Sequence, residues 1–310
     1  MKNIALLGFG KIGKTFFAKS LKNSKIKIEN ILKRRSINFK DKKIKFYKNI
    51  NPLLKNENIK GYIVATPVQS HFNYARKIIE NKKPFIIEKP LVSNPKELNI
   101  LYKLSKNYKK SIFVNHKDLY NPAFNKFTKE LKSIGNYSKI NISFGKFQKI
   151  KIFKNKNNSF LPSFDWLPHP LALALKLEGY PKKISLIKNK IFFFNKYIFQ
   201  YSIINLTYKK RIIQINFSNQ YKTPRRRVEV SGSKAKLIYD GYKKDMLIKK
   251  ANNKNFRKIK YKEIDPFDNL INKLCLSIDT KSYNNDIHLS YKVMRILFDL
   301  ERIMKKGVNL

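Results

Sequence analysis

Short apolar runs alternate with amphipathic segments over the first third of the chain. The runs predict buried strands, and they read IALLGFG (4–10), KIENILKRR (27–35), KIKFY (43–47), GYIVATP (61–67), PFIIEKP (84–90) and SIFVNHKD (111–118). Helix periodicity marks KIGKTFFAKSLKN (11–23), VQSHFNYARKIIENK (68–82) and NPKELNILYKLSKNYKK (94–110). Because strands that alternate with helices of this length form parallel β-α-β units, the pattern predicts a doubly wound parallel sheet of the α/β class.

The pattern changes near residue 120. A helix is predicted at NPAFNKFTKELKSIG (121–135), and the strand-like runs after it read SKINISFGKF (138–147), KKISLIKNKIFFF (182–194), YIFQYSIINLTY (197–208), KRIIQINFSN (210–219), RRRVEVSGS (225–233) and KAKLIYDG (234–241). Helix periodicity returns in DPFDNLINKLCLSI (265–278) and NDIHLSYKVMRILFDLERIMKKG (285–307). We therefore predict an α/β domain over 1–119 and an α+β domain with an open, mainly antiparallel sheet over 120–310. The sequence leaves open whether the C-terminal helices pack back on the first domain.

Composition adds a strong positive charge to this picture. The 310 residues contain 68 Lys+Arg against 20 Asp+Glu, which gives a formal net charge of +48. The basic residues are spread along the whole chain, and Lys, Ile, Asn, Phe and Tyr are all abundant, as A/T-rich coding would produce. Because a nucleic-acid footprint should cluster on one face, we expect a solvated basic surface and no specific nucleic-acid partner. Binding to nucleic acid or to an anionic carbohydrate stays a weaker alternative.

Several classes of protein are disfavoured by what the sequence lacks. No run approaches the roughly 18 apolar residues of a membrane helix, and the N-terminal residues do not resemble a signal peptide. The one cysteine, Cys275, cannot form an intrachain disulfide or a cysteine-based metal cage. We therefore expect a cytoplasmic protein with no membrane partner and no metal.

A glycine-rich loop follows the first predicted strand. Gly8, Gly10 and Gly13 form the G-x-G-x-x-G pattern between that strand and the first helix, with Lys11 and Ile12 at the helix start. In this context Gly8 allows a tight turn, Gly10 a close approach to a pyrophosphate, and Gly13 close packing of helix on strand. The helix N-terminus then offers free N–H groups to phosphates. The loop predicts a dinucleotide site on a Rossmann sheet.

The end of the second strand indicates which dinucleotide is preferred. A site for NAD would place Asp or Glu about 20 residues after the glycines, where it holds the ribose 2′-hydroxyl. This sequence has Lys33, Arg34 and Arg35 there. Since basic side chains suit a 2′-phosphate, we predict NADP over NAD and leave NAD open.

Four motifs together resemble one family. The opening loop, GYIVATPVQSHFNYA, PFIIEKPLVSN and DWLPHPLALAL resemble the oxidoreductases named after glucose-fructose oxidoreductase and inositol dehydrogenase, the Gfo/Idh/MocA family. RRRVEVSGSKAKLIYDG is similar to a strand-turn-strand of the family's second domain, whose open sheet carries helices on one face. The resemblance implies further cofactor contacts, namely Ala65, Thr66, Pro67, His71, Glu88 and Lys89.

The residues that would carry the chemistry follow from position and from this resemblance. Lys89 ends a buried strand at the edge where open α/β sheets gather ligands, and the family's matching lysine contacts substrate and nicotinamide. DWLPH resembles the family's D-x-x-x-H catalytic segment, which implies that His169 is the acid/base and that Asp165 is its partner or a substrate ligand. Asp165 lies four residues before His169, so the two would share one side of a helix start, although Pro170 predicts a non-helical His169.

The remaining substrate contacts are predicted at Asn115 and His116, which end another strand, and at Trp166 beside Asp165. For His71, Asn115 and His116 a purely structural hydrogen-bonding role stays open. Together these residues favour a dehydrogenase or reductase that acts on a secondary hydroxyl or carbonyl of a sugar, nucleotide sugar, cyclitol or similar small polar molecule. The resemblance also allows a non-catalytic dinucleotide- or sugar-sensing regulator, or a glycosidase-like enzyme that uses bound NAD. It implies a homodimer or tetramer formed through the C-terminal sheet.

Overall fold

The computed structural model of the chain describes residues 1–33, 41–151, 160–243, 245–280 and 283–306. It divides into two compact units. The first comprises Met1–His116 and Asp265–Met294, and the second comprises Lys117–Ile264 and Arg295–Leu310. The predicted domain boundary between residues 119 and 120 falls near this division, and as a domain boundary it stays a prediction.

Strands make up much of both units. In chain order, the described residues form β1 (Lys2–Leu7), β2 (Ile26–Leu32), β3 (Lys45–Tyr47), β4 (Ile59–Val64), β5 (Phe85–Ile87), β6 (Ile112–Val114), β7 (Lys139–Gly145), β8 (Ile150–Lys151), β9 (Lys183–Phe194), β10 (Tyr197–Thr207), β11 (Ile212–Ser218), β12 (Arg225–Ser231), β13 (Ala235–Asp240), β14 (Asp245–Lys250) and β15 (Arg257–Lys258).

Helices connect and cover these strands. In chain order they are α1 (Lys11–Leu21), α2 (Asn51–Lys55), α3 (His71–Glu80), α4 (Pro95–Lys106), α5 (Pro122–Glu130), α6 (Pro162–Trp166), α7 (Pro168–Glu178), α8 (Pro266–Asp279) and α9 (Ile287–Lys305). Three of them begin with the same local signal, an Asn or Asp cap followed by proline. The side chains of Asn94, Asn121 and Asp265 each accept a hydrogen bond from a backbone N–H of the first turn. The proline that follows has no N–H to leave unsatisfied.

The sheet of the first unit is parallel, with the order β3-β2-β1-β4-β5-β6 among the described residues. Its central strands are apolar along their whole length, and Ile4, Ala5, Leu6 and Leu7 are fully buried. Continuous apolar strands of this kind are typical of a parallel sheet covered on both faces. The predicted doubly wound α/β domain is therefore confirmed.

The sheet of the second unit runs β15-β14-β13-β12-β7-β11-β10-β8 among the described residues, and β9 pairs with β10. Its neighbours are antiparallel except for β7 and β11, which are parallel. Helices α5, α6 and α7 pack on the sheet, on strands that include β7, β10, β11 and β13. Side chains alternate along β10 between buried and half-buried positions, so one face of this strand lies in the core. The predicted open, mainly antiparallel sheet is thus confirmed.

Candidate active site

Loops at one edge of the first sheet carry most of the residues predicted to bind cofactor and substrate. In a parallel sheet the carboxyl ends of all strands lie at the same edge, and the strand order here reverses between β1 and β4, where α/β proteins bind ligands. The predicted residues are Gly8 to Gly13 after β1, Lys33 after β2, Ala65 to Pro67 after β4, Glu88 and Lys89 after β5, and Asn115 and His116 after β6.

The glycine loop has the geometry that a dinucleotide requires. Gly8 has a positive φ of 100°, and a Cβ there would lie 2.4 Å from the carbonyl oxygen of Ala65. A Cβ on Gly13 would lie 2.1 Å from the carbonyl oxygen of Gly8, so this position allows α1 to pack closely on the loop. A Cβ on Gly10 would meet no heavy atom within 4 Å. The backbone at Gly10 therefore faces open space, as a nearby pyrophosphate needs.

A cavity of about 750 Å³ opens beside this loop, which is an ordinary size for a ligand site. Its lining residues are Gly8, Phe9, Gly10, Leu32, Lys33, Ala65, Thr66, Pro67, Gln69, Ser70, Asn73 and Tyr74. The loops after β1, β2 and β4 thus meet around one space. Gln69, Ser70, Asn73 and Tyr74 were not predicted, although the VQSHFNYA segment that contains them directly follows the VATP strand end.

Lys33 brings a positive charge to this cavity. Its backbone N–H donates to the carbonyl of Tyr47 at 2.8 Å, and its ammonium lies 5.9 Å from the centre of the Phe9 ring. None of the described lining residues is Asp or Glu. Arg34 and Arg35, the other predicted partners of a 2′-phosphate, lie outside the described residues.

His71 joins two loops of the site. It is almost fully buried, and its ring nitrogens lie 2.8 Å from the carbonyl oxygens of Pro90 and Thr66. Burial lowers the pKa of the ring more than these two acceptors raise it. His71 is not among the cavity lining, so the contacts support the structural role that the sequence left open, and a direct cofactor contact stays a prediction.

Lys89 follows β5 and is half-buried, and a cis peptide bond joins it to Pro90. Beside it, Asn115 donates from its amide to the buried carboxylate of Glu88. His116 is buried, with Nε2 2.9 Å from the hydroxyl of Ser290. Burial, with a smaller effect of the Lys89 charge, lowers the pKa of His116 to about 3. His116 is therefore a neutral ring near pH 7, beside a lysine.

In the second unit, His169 lies in the first turn of α7 and is 8% exposed. The prediction that Pro170 would keep His169 out of a helix is wrong. Pro168 and Pro170 both stand in the first turn, where N–H groups have no acceptor inside the helix, so proline costs no hydrogen bond there. The ring of His169 stacks on Phe144, with centroids 5.4 Å apart and planes at 20°.

Asp165 and Trp166 end the preceding helix, α6. Asp165 is exposed whereas His169 is buried. Leu167, in helical conformation, ends α6 and precedes α7, and the pairing of Asp165 with His169 stays a prediction. Trp166 is 7% exposed and meets Phe144 edge-on at 6.2 Å, and its indole N–H has no acceptor among the described residues.

A different carboxylate lies beside His169. Asp118 Oδ2 is 4.0 Å from His169 Nδ1 and 3.5 Å from Arg226 Nη1, and Asp118 Oδ1 accepts a 2.8 Å hydrogen bond from Tyr239. Sequence reasoning missed Asp118, Arg226 and Tyr239 because contacts between segments so distant in sequence leave no local pattern. The VNHKD run, which contains Asp118, was the sequence signal from which Asp118 could have been predicted as a site residue.

In the described part of the chain, no group of three or more His, Cys, Asp or Glu side chains is arranged to hold a metal ion. Across the same residues, no helix has the length and apolar character needed to cross a membrane.

The strand order, the glycine loop and the cavity define a Rossmann-type dinucleotide-binding protein. Residues 2–116 match the family model GFO_IDH_MocA, described as an oxidoreductase family with an NAD-binding Rossmann fold. The resemblance to the Gfo/Idh/MocA oxidoreductases seen in the motifs is therefore confirmed over residues 2–116.

One curated relative matches over part of its length. A stretch of 90 residues is 36% identical to Oxidoreductase P35 of Formosa agariphila, and it covers 28% of each protein.

Two solved structures resemble the fold nearly end to end. The UDP-N-acetylglucosamine 3-dehydrogenase GnnA of Acidithiobacillus ferrooxidans has a TM-score of 0.74 at 14% identity, with 98% of each chain covered. Biliverdin reductase of Synechocystis, solved with biliverdin and NADP+, has a TM-score of 0.76 at 13% identity, again with 98% of each chain covered. At such identities the likeness establishes the fold.

Proposed function

We propose that the chain is an NAD(P)-dependent oxidoreductase that transfers a hydride between a nicotinamide cofactor and a secondary hydroxyl or carbonyl of a small polar molecule. The substrate classes are sugars, nucleotide sugars and cyclitols. The observation that carries the proposal is the 750 Å³ cavity beside Gly8 and Gly10, with Lys89 at a strand end of the same sheet edge. The fold shared with a UDP-sugar dehydrogenase is consistent with this substrate class.

NADP is the proposed cofactor. Support comes from Lys33 in the cavity wall and from the lack of an acidic side chain among the described lining residues, since a carboxylate would repel a 2′-phosphate. The solved biliverdin reductase with the same fold holds NADP+.

Each polar residue has a role in this proposal. The bound nicotinamide supplies or accepts the hydride. Lys89 positions and polarises the reacting oxygen, and its positive charge stabilises the oxyanion that develops there. His169 exchanges the proton of the hydroxyl, and Asp165 is assigned as a substrate ligand. Further substrate contacts are assigned to Asn115, His116 and Trp166, the last through its indole N–H, which finds no acceptor in the described part of the chain.

A homo-oligomer formed through the C-terminal sheet is also part of the proposal. Large apolar side chains are exposed on β9 and the loop after β7: Ile187 is 55% exposed, Phe192 45%, Phe194 66% and Phe147 54%. A second copy of the chain would remove this apolar surface from water.

Binding and turnover assays with Lys89→Met test the enzymatic proposal. Purified protein is titrated with NADPH and NADH by nicotinamide fluorescence, then screened with sugars, sugar acids, UDP-sugars and cyclitols by nicotinamide absorbance. We expect Lys89→Met to bind NADPH normally and to lose about a hundredfold or more in kcat, as for a residue that acts on the reacting oxygen. Lys96→Met, which removes the same charge from an exposed site in α4, should behave as wild type.

Two outcomes would count against this function. Full activity in Lys89→Met on the best substrate would remove Lys89 from the chemistry. Tight NADPH binding without an absorbance change for any candidate would instead favour the sensing regulator.

A further inference from the structure

We propose that Asp118 is the positioning residue for His169: its buried carboxylate fixes the orientation of the imidazole and favours the protonated ring. The inference rests on the proposed function, in which His169 exchanges the substrate proton. It assigns to Asp118 the part that the sequence gave to Asp165. Asp118 is 3% exposed, and its Oδ2 lies 4.0 Å from His169 Nδ1.

The Asp118 carboxylate is held in place by its neighbours. It lies in the turn Lys117–Tyr120, directly before Asn121, the cap of α5. The Asn121 amide donates to the Tyr239 hydroxyl at 3.2 Å, and that hydroxyl donates to Asp118 Oδ1 at 2.8 Å. Burial, and next the Asp118 charge, raise the pKa of Tyr239, so its proton stays in place. One carboxylate oxygen is thereby anchored while the other faces Arg226 and His169.

Arg226 and the protonated form of His169 compete for Asp118 Oδ2. Arg226 Nη1 lies 3.5 Å from it, closer than His169 Nδ1 at 4.0 Å, and a guanidinium is always charged in proteins. Phe144 and Tyr242 lie against the guanidinium, with ring centres 4.9 and 5.4 Å away. Asp118 therefore favours a proton on His169, and Arg226 opposes it.

Other charged groups near α7 are less suited to this role. Asp165 is exposed on α6, where water screens its charge. Lys117, on the same turn as Asp118, is half-buried and positive. Asp118, by contrast, is buried and lies at ion-pair distance from His169.

This arrangement gives the two ring nitrogens different tasks. With Nδ1 towards Asp118, Nε2 is the nitrogen that takes the proton of the substrate hydroxyl. The ring then carries a positive charge, which the buried carboxylate balances at a fixed distance. The logic is that of an acid-base pair in which a carboxylate orients and stabilises an imidazolium without taking the proton itself.

Imidazole ¹⁵N spectra of the full-length protein test the proposal without a substrate. The sequence contains four histidines, and His169→Gln identifies the His169 signals by their loss. A pH titration then gives the midpoint and the tautomer of His169 in the wild type, Asp118→Asn, Asp165→Asn and Arg226→Gln. Far-UV circular dichroism checks that each variant is folded.

The variants should move the His169 midpoint in opposite directions. We expect Asp118→Asn to lower it by about one pH unit, because a facing negative charge is lost, and Arg226→Gln to raise it by about half a unit, because a competing cation is lost. Asp165→Asn should change it by less than about 0.3 unit, since its charge is screened. A variant that only disturbed packing would not produce shifts of opposite sign.

An unchanged midpoint in Asp118→Asn, or a larger shift in Asp165→Asn, overturns the proposal. If Asp118→Asn does not fold, Arg226→Gln decides: a raised midpoint supports the proposal, and an unchanged or lowered one overturns it. The titration needs no turnover, so the two proposals can fail separately. If only the proposed function is wrong, the titration still shows the effect of Asp118 on His169, and no candidate substrate reacts.

Discussion

At the scale of the single residue, Lys33 brings together cofactor choice and local structure. Its ammonium lies near the ring of Phe9 in the wall of the cavity, at the end of β2, where acidic residues select NAD in related folds. A lysine here gives a 2′-phosphate a charged hydrogen-bond donor. Cofactor preference should therefore depend on this side chain.

Lys33→Glu is expected to weaken NADPH binding by about tenfold to a hundredfold, because one charge-assisted hydrogen bond is lost and a repulsive charge is gained. NADH binding should change little, so the NADPH/NADH affinity ratio is the measurement. Lys14→Glu is the matched control, since Lys14 also lies about 6.0 Å from the Phe9 ring but does not line the cavity. A wild-type ratio in Lys33→Glu would show that this residue does not select the cofactor.

His116 makes folding stability depend on pH. Burial holds its pKa at about 3 in the folded protein, against 6.5 for an ordinary histidine. Between these two pH values the unfolded chain binds a proton at His116 and the folded chain does not. The contribution of His116 to the free energy of unfolding is therefore fully present above about pH 6.5 and decreases as the pH falls towards 3.

From pH 7 to pH 5 the wild type should lose about 2 kcal/mol through His116, and His116→Gln should lack this loss. Urea unfolding at several pH values measures the difference. His288→Gln, which replaces an exposed histidine, should keep the wild-type dependence. Identical pH dependence in His116→Gln and wild type would contradict the assignment.

At the scale of the element, the periodicity of apolar residues was sufficient to predict most of the long strands and helices. The alternation along β10 and the continuous apolar β1 each reflect how their faces are buried, and burial is what the pattern encodes. The short elements α2 and β14 were missed. The parallel pairing of β7 with β11 could not be predicted, since it depends on packing between distant segments.

The same limit applies to the candidate site. The glycine loop and the lysine after β5 are local motifs, so the sequence reveals them. The contact of Asp118 with His169 exists only because the turn Lys117–Tyr120 and α7 pack together. The wrong prediction of a non-helical His169 has a local cause. Proline disfavours a helical conformation in the residue before it, but prolines are tolerated in the first turn of a helix, where Pro170 lies.

At the scale of the whole molecule, the formal charge of +48 acts against self-association. Copies that meet through the apolar side chains of β9 must overcome mutual repulsion, which salt screens over a Debye length of about 8 Å at 0.15 M. Association of the protein with itself should therefore strengthen with salt. Binding to a polyanion should weaken.

Sedimentation velocity at about 0.05 and 0.5 M NaCl tests this expectation, because the Debye length falls severalfold over that range. The oligomer fraction should rise with salt in the wild type and should be lost in Phe194→Lys. Phe256→Lys makes the same change at an exposed phenylalanine, 42% exposed, outside β9. Assemblies that dissolve as salt rises would indicate bridging by nucleic acid and would count against the oligomer.

The sequence contains one tryptophan, and the fold places it edge-on against the phenylalanine on which His169 stacks. Light absorbed at the red edge of the protein spectrum is therefore emitted from one known position in the second unit. Because Trp166 and His169 both contact the ring of Phe144, we expect the intensity of this emission to change when His169 gains or loses a proton. The chain would then carry an intrinsic optical reporter for its proposed proton-transfer residue, and mixing experiments could follow that residue without a label.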